Sequence, residues 1–381
     1  MATSRTVLIL GGGVGGLVAA RRLRRHLPAS DRIVVIDREP YHLFQPSLLW
    51  LATGSRRPEA IQRSLARLVR RGIEVVHGTV SGFDPHPRRV QMTDGRDLVG
   101  DAVIVALGAE LAPEAVPGLA EAGHNLYTLG GATAVRDALA SFDGGRIVVL
   151  TAAPAYKCPA APYEAAMLIN AALRRRHASV SLYAAEPGPM GTAGPEVSAA
   201  VRAMVEAHGV AYHPEHQVVA VDGSTRLLHF ANGATASYEL LIYVPPHKVS
   251  PVLTDAGMAP VGGWVPVDAH TLATPFPDVF VIGDAAGIPL LSGKMLPKAG
   301  VFAHAQADVV ANNLADRWAG RTSQHRFDGV GGCFIETGHG RAAYGAGDFY
   351  AAPMPRMRMR APARWWHWGK VLFEKRWLAG L

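Results

Sequence analysis

Cysteine is almost absent from this chain: 381 residues contain two, Cys158 and Cys333. A pair so few and so far apart excludes a disulfide framework and a cysteine metal knuckle. On their own, two lone cysteines read as small buried apolar residues. Charge is also sparse, at 18% of residues against 49% hydrophobic. That balance excludes a disordered chain and fits buried α/β cores in two or three domains. Long apolar runs are missing too, since none reaches the roughly 18 to 20 residues of a membrane-crossing helix. The opening MATSRTVLILGGGVGGLVAARR has a short apolar stretch like a signal peptide's. Its glycine cluster and the arginines that follow fit a nucleotide-binding turn better.

Positive charge is abundant in one place only. Of the net +7, residues 354–381 hold seven Lys or Arg against one Glu, 7 − 1 = +6, and four of the seven tryptophans. The remaining body is nearly neutral, which argues against nucleic acid as a partner. Pro355, Pro362 and Gly369 confine any helix in this tail to about 364–379. Its cations and Trp365, Trp366, Trp368 and Trp377, with Val371, Leu372 and Phe373, predict an in-plane anchor on anionic lipids. A charged helix docked on the body is the plainer alternative.

A strand at 6–10 (TVLIL), the turn GGGVGG and a helix LVAARRLRRH open the first domain. Gly11, Gly13 and Gly16 occupy the G-x-G-x-x-G positions, which give a tight turn, close approach to a pyrophosphate and close helix packing. A second strand, 32–36 (RIVVI), ends at Asp37, 21 residues past Gly16, where a carboxylate binds ribose hydroxyls. Two later stretches are apolar strands ending in glycine: 101–108 (DAVIVALG), closing at Gly108, and 277–286 (PDVFVIGDAA), with Gly283 and Asp284. In this order the set resembles the three fingerprints of the two-dinucleotide-domain flavoproteins. The resemblance implies FAD, with Asp37 on the adenosine ribose, Val80 near the adenine and Asp284 at the ribityl–pyrophosphate. Tyr41 and Pro46, in DREPYHLFQPSLL, are candidates to line the same path, with ordinary loop packing as the alternative. A helix opening near Lys298 is expected to direct its positive end at the reduced flavin.

Residues 146–173 repeat the strand–turn–helix plan, and 179–184 (SVSLYA) repeat the second strand, closing near Glu186. In pyridine-nucleotide relatives such a turn binds NADH through glycines. Here it reads AAPAYKCPAAP, with no glycine and with Pro154, Pro159 and Pro162 removing amide donors. NADH is therefore disfavoured as reductant. Cys158 has Lys157 beside it and a helix start just beyond, and both are expected to favour its thiolate. Cys333 lies in GGCFIETGHGRAAYGAGDF, which reads as two short strands around a Gly-His-Gly turn. Glu164, in the helix after Cys158, is a candidate proton acceptor, with a solvated helix residue as the alternative. His208, His213 and His216 cluster, but no ligand pattern completes a metal site.

"KCPAAPYEA" and "GCF" resemble the first and second redox-cysteine motifs of the sulfide:quinone oxidoreductases and flavocytochrome c sulfide dehydrogenases. VFVIGDAA…LPKAGVFAHAQADVVANNLA is similar to their flavin segment. The likeness is weakest at 109–145 and 187–240. It implies a Cys158–Cys333 disulfide that accepts sulfide and passes two electrons to the flavin, with a quinone bordered by Phe334 as acceptor. Residues 109–145 lack the third cysteine of many such enzymes, and none is left for a covalent flavin link, so FAD is expected to be non-covalent. The implied fold is α/β: an FAD domain at 1–108 and 246–320, an inserted nucleotide-fold domain at 109–245, and a redox hairpin with membrane anchor at 321–381. The implied location is peripheral on a bacterial inner membrane, on either face, with a homo-oligomer compatible. Two alternatives stand: a type II NADH:quinone oxidoreductase, and a flavin electron-transfer or redox-sensor protein without sulfide turnover.

Overall fold

The computed structural model describes residues 4–322 and 324–381. Two five-stranded parallel sheets form its frame. In the first, Thr6–Leu10 lies between Arg32–Asp37 and Ala102–Val105, with Glu74–His77 and Val279–Val281 at the edges. In the second, Gly144–Thr151 lies between His177–Ala184 and Leu240–Val244, with Ala211–His213 and His124–Asn125 outermost. The inner strands Thr6–Leu10, Ala102–Val105 and Leu240–Val244, and the second half of Gly144–Thr151, are near-continuous aliphatic runs because both faces are covered. The windings match: in each sheet a later strand returns beside the first, followed by the second and third. The α/β fold expected from sequence is thus two doubly wound halves.

The C-terminal region is more than a hairpin. Val330–Gly338 and Arg341–Asp348 pair antiparallel around the Gly338–His339–Gly340 turn, as read from sequence. A third strand, Arg356–Ala363, adds to the outer edge. Its RMRMR alternation carries a period of two, with Arg356, Arg358 and Arg360 exposed and Met357 and Met359 turned inward. Gly345 and Gly347 make room, since a Cβ at either would lie 2.7 Å from a methionine sulfur.

The tail helix Arg364–Gly380 follows directly. It buries Lys370, Val371, Glu374 and Leu378, one helical face, against the body. Ser47 and Arg56 bind Glu374 at 2.6 and 2.7 Å, and Arg63 and Arg71 donate to the Leu378 and Gly380 carbonyls. Trp365, Trp368, Leu372 and Phe373 remain exposed. The helix is therefore docked on the body by one face, as in the plainer alternative, while its other face stays exposed. No helix among the described residues is long and apolar enough to cross a membrane.

Candidate functional site

The predicted cofactor residues gather at one edge of the first sheet. Gly11, Asp37, Gly108 and Gly283 lie at or just beyond the carboxyl ends of parallel strands, and Val80 lies three residues past another. Open α/β sheets bind ligands along this edge. Two glycines are required sterically. Gly11 has φ 108° and its Cβ would fall 2.4 Å from the Ala106 carbonyl oxygen, while a Cβ at Gly16 would sit 1.9 Å from that of Gly11. Gly13 is the N-cap of the helix Val14–His26, with no side-chain cap and open space where a Cβ would stand. A turn open at its helix-facing amides fits a pyrophosphate.

Asp37 is partly engaged. One carboxylate oxygen accepts the Gly12 N–H at 2.5 Å and the other the Glu39 N–H at 2.8 Å. Burial raises its pKa, and those amides oppose the shift. Pro46 lies in the short turn Gln45–Ser47, beneath the tail helix through the Ser47–Glu374 bond. Lys298 stands two residues before the helix Gly300–Trp318, which opens near it as expected. Its ammonium donates to the Asp284 carbonyl oxygen at 2.6 Å and lies 3.4 Å from the centre of the Trp264 ring. Burial pushes Lys298 down to about 8 against the pull of Asp284, whose own pKa burial raises.

Cys158 is tied to this flavin segment. Its N–H donates to the Lys298 carbonyl at 2.7 Å, and its carbonyl accepts from Ala161 N–H at 2.9 Å and the Tyr127 hydroxyl at 3.2 Å. These bonds hold Cys158 at φ 51°, left-handed for a residue with a Cβ, at a cost of about 1 kcal/mol. Cys333 comes from the hairpin strand that packs on the helix Ala161–Ala172. Both cysteines are free thiols. Burial pushes the Cys333 thiol well up, and a negative charge at Cys158 adds to the rise. The expectation of a ready thiolate at Cys158 is corrected. Burial pushes the thiol up to about 12, Glu164 adds to the rise, and Lys370 and the Ala161 amide only partly offset it.

Glu164 is buried rather than solvated. One of its oxygens accepts both the Glu336 N–H at 2.8 Å and the Lys370 ammonium at 2.6 Å. His367 lies 3.0 Å from both Glu336 carboxylate oxygens. Lys370 suffers the downward pull of burial, but Glu164 and Glu336 hold its pKa above the ordinary value, while burial raises Glu336. The sequence reading missed this cluster. In sequence Lys370 is one more cation of the tail, and nothing in GKVLFEKRW points to a carboxylate 206 residues away. Phe334, half-buried, packs against Tyr344, Trp366 and Gly369 where the hairpin meets the tail.

The second turn differs from the first. Glu186, at the place of Asp37, is turned inward. It accepts hydrogen bonds from the Tyr156 and Tyr163 hydroxyls at 2.5 and 2.6 Å and from Thr151 at 2.9 Å. His213 and His216 instead join an aromatic stack with Tyr183 and Phe230.

The mitochondrial sulfide:quinone oxidoreductase of Mus musculus is 25% identical over 365 residues, 91% of this chain and 79% of the mouse protein. The sulfide-quinone reductase of Aquifex aeolicus is 26% identical over 400 residues, covering 98% and 90% of the two chains. A solved structure of the sulfide:quinone oxidoreductase from Aquifex aeolicus superposes with a TM-score of 0.88 at 24% identity, over 98% of this chain and 91% of that one. Residues 5–307 match the family described as pyridine nucleotide-disulphide oxidoreductase. That span takes in both sheets, the first turn that fits FAD and the second turn that holds Cys158. The chain is an FAD-binding oxidoreductase that belongs to this family.

Proposed function

We propose that the chain oxidises sulfide at a Cys158–Cys333 pair and passes the electrons, by way of non-covalent FAD, to a membrane quinone. The observation that carries this reading is the packing of the Cys333 strand on the helix that follows Cys158, which brings two half-buried cysteines to one site tied to the flavin segment through the Cys158–Lys298 backbone bond. The mouse and Aquifex aeolicus relatives, named for this activity, support it.

In the oxidised pair, hydrosulfide attacks one cysteine sulfur. A persulfide forms there, the S–S bond breaks, and the other sulfur leaves as thiolate. A second hydrosulfide takes the outer sulfur away as HS2−, leaving two reduced cysteines. Closing the S–S bond again releases two electrons, so the sum is 2 HS− → HS2− + H+ + 2 e−. When bound, FAD accepts that electron pair and returns it to quinone. Burial makes a thiolate costly here, and the Lys370 ammonium opposes that cost at both cysteines. Glu164, bonded to Lys370, is placed to receive the proton. Phe334 borders the quinone. The exposed Trp365, Trp368, Leu372 and Phe373 rest on a membrane of anionic lipids beside it.

A nucleotide reductant is disfavoured because the second turn lacks glycine and Glu186 is consumed by hydroxyls. Anaerobic addition of micromolar sulfide is expected to bleach the flavin absorbance, and NADH at the same concentration to leave it nearly unchanged. Rapid bleaching by NADH alone would favour the type II NADH:quinone oxidoreductase reading and sink this one.

A further inference from the structure

The tail helix reaches the cofactor turn directly. Trp377 donates its indole N–H to Nε2 of His42 at 2.9 Å. Nε2 therefore carries the lone pair, and Nδ1 carries the proton that faces the Gly12 carbonyl oxygen at 3.1 Å. His42 is buried, so no water substitutes for either bond. The N–H of Gly12 is held at 2.5 Å by Asp37. Gly12 thus has its amide fixed by the second strand and its carbonyl fixed, through one imidazole, by a residue 365 positions further along the chain.

We propose that the tail helix is a working part of the cofactor site: Trp377, acting through His42, positions the Gly12 peptide, so that docking of the helix and retention of FAD favour each other. Trp377 is a positioning residue, since it touches His42 and not the turn itself. The inference rests on FAD occupying the first turn and is independent of which reductant the enzyme uses. Reciprocity is required: if the docked helix slows loss of FAD, FAD must hold the helix down by the same factor.

The test measures FAD release from the holoprotein, by the fluorescence gained on dilution, for wild type, Trp377→Phe, His42→Leu, the double variant and Trp368→Phe. Trp377→Phe keeps an aromatic ring and removes the donor, and is expected to speed release about tenfold, the scale of one buried hydrogen bond. Trp368→Phe, on the exposed face, is expected to stay within about twofold of wild type. The double variant should release FAD no faster than His42→Leu, because Trp377 acts only through His42. Release from Trp377→Phe within about twofold of wild type overturns the proposal, and so does a double variant in which the two effects multiply. A second measurement needs no His42 variant. Excess FAD should slow tryptic cutting after the exposed Lys375 and Arg376 in wild type and fail to do so in Trp377→Phe; equal protection in both overturns it.

Discussion

At Cys158 the chain accepts a left-handed backbone at a residue with a Cβ, where the matching turn of the first sheet uses glycine. Three hydrogen bonds over-determine that conformation, so the strain buys a fixed sulfur position. Cys158→Ala and Cys333→Ala are expected to keep FAD, because neither side chain belongs to the first turn, and to lower sulfide-dependent quinone reduction by orders of magnitude. Turnover within about threefold of wild type, a barrier change well below 1 kcal/mol, would remove the pair from the mechanism. Lys370 has a different part. Lys370→Met leaves Glu164 buried without its ammonium, and denaturant melts are expected to show a loss of about 3 kcal/mol. An unchanged midpoint would mean that Glu164 finds another partner.

Among the elements, the tail helix works on two faces. Its inner face is bound to Glu164, His42, Ser47 and Arg56, so a chain cut near Tyr350 loses buried partners as well as the exposed face proposed to meet lipid. Such a truncation cannot test the anchor cleanly. Replacing Trp365, Trp368, Leu372 and Phe373 by serine leaves the inner face intact. Flotation with anionic vesicles is expected to show binding reduced at both low and high salt, with FAD retained. Wild-type binding by this variant would place the membrane contact elsewhere. The inner face also responds to acid. Burial lowers His42 to about 4 from an ordinary 6.5, so between those values the unfolded chain holds more protons than the folded one. Stability therefore falls as pH drops through this window, by about 2 kcal/mol between pH 7 and pH 5. Melting of the holoprotein across that range should show the loss, and His42→Leu should flatten it.

Across the whole molecule, what could be read in the sequence followed what is local. The glycine turn, Asp37 21 residues on, the apolar strands and the hairpin are each specified within about thirty residues, and both sheets formed as those patterns direct. The third hairpin-sheet strand carried its own signal in RMRMR, obscured by the charges that suggested lipid. The Glu164–Lys370 and His42–Trp377 pairs carried none, because each joins residues more than 200 positions apart, and side-chain type does not name a distant partner. The proton affinity of the Cys158 thiol is hidden from the sequence for the same reason. Lys157 is visible beside it, whereas the burial that decides its proton affinity comes from packing.

The long span between His42 and Trp377 also governs when the molecule can be finished. The ribosome exposes the glycine turn well before Val279–Val281 and then Trp377, which must arrive before that turn has its final neighbours. Contacts of such sequence separation close late and slowly. FAD is accordingly expected to be held firmly only once residue 377 has emerged, so a nascent chain stalled before residue 377 should retain flavin less well than one stalled well beyond it or the finished protein.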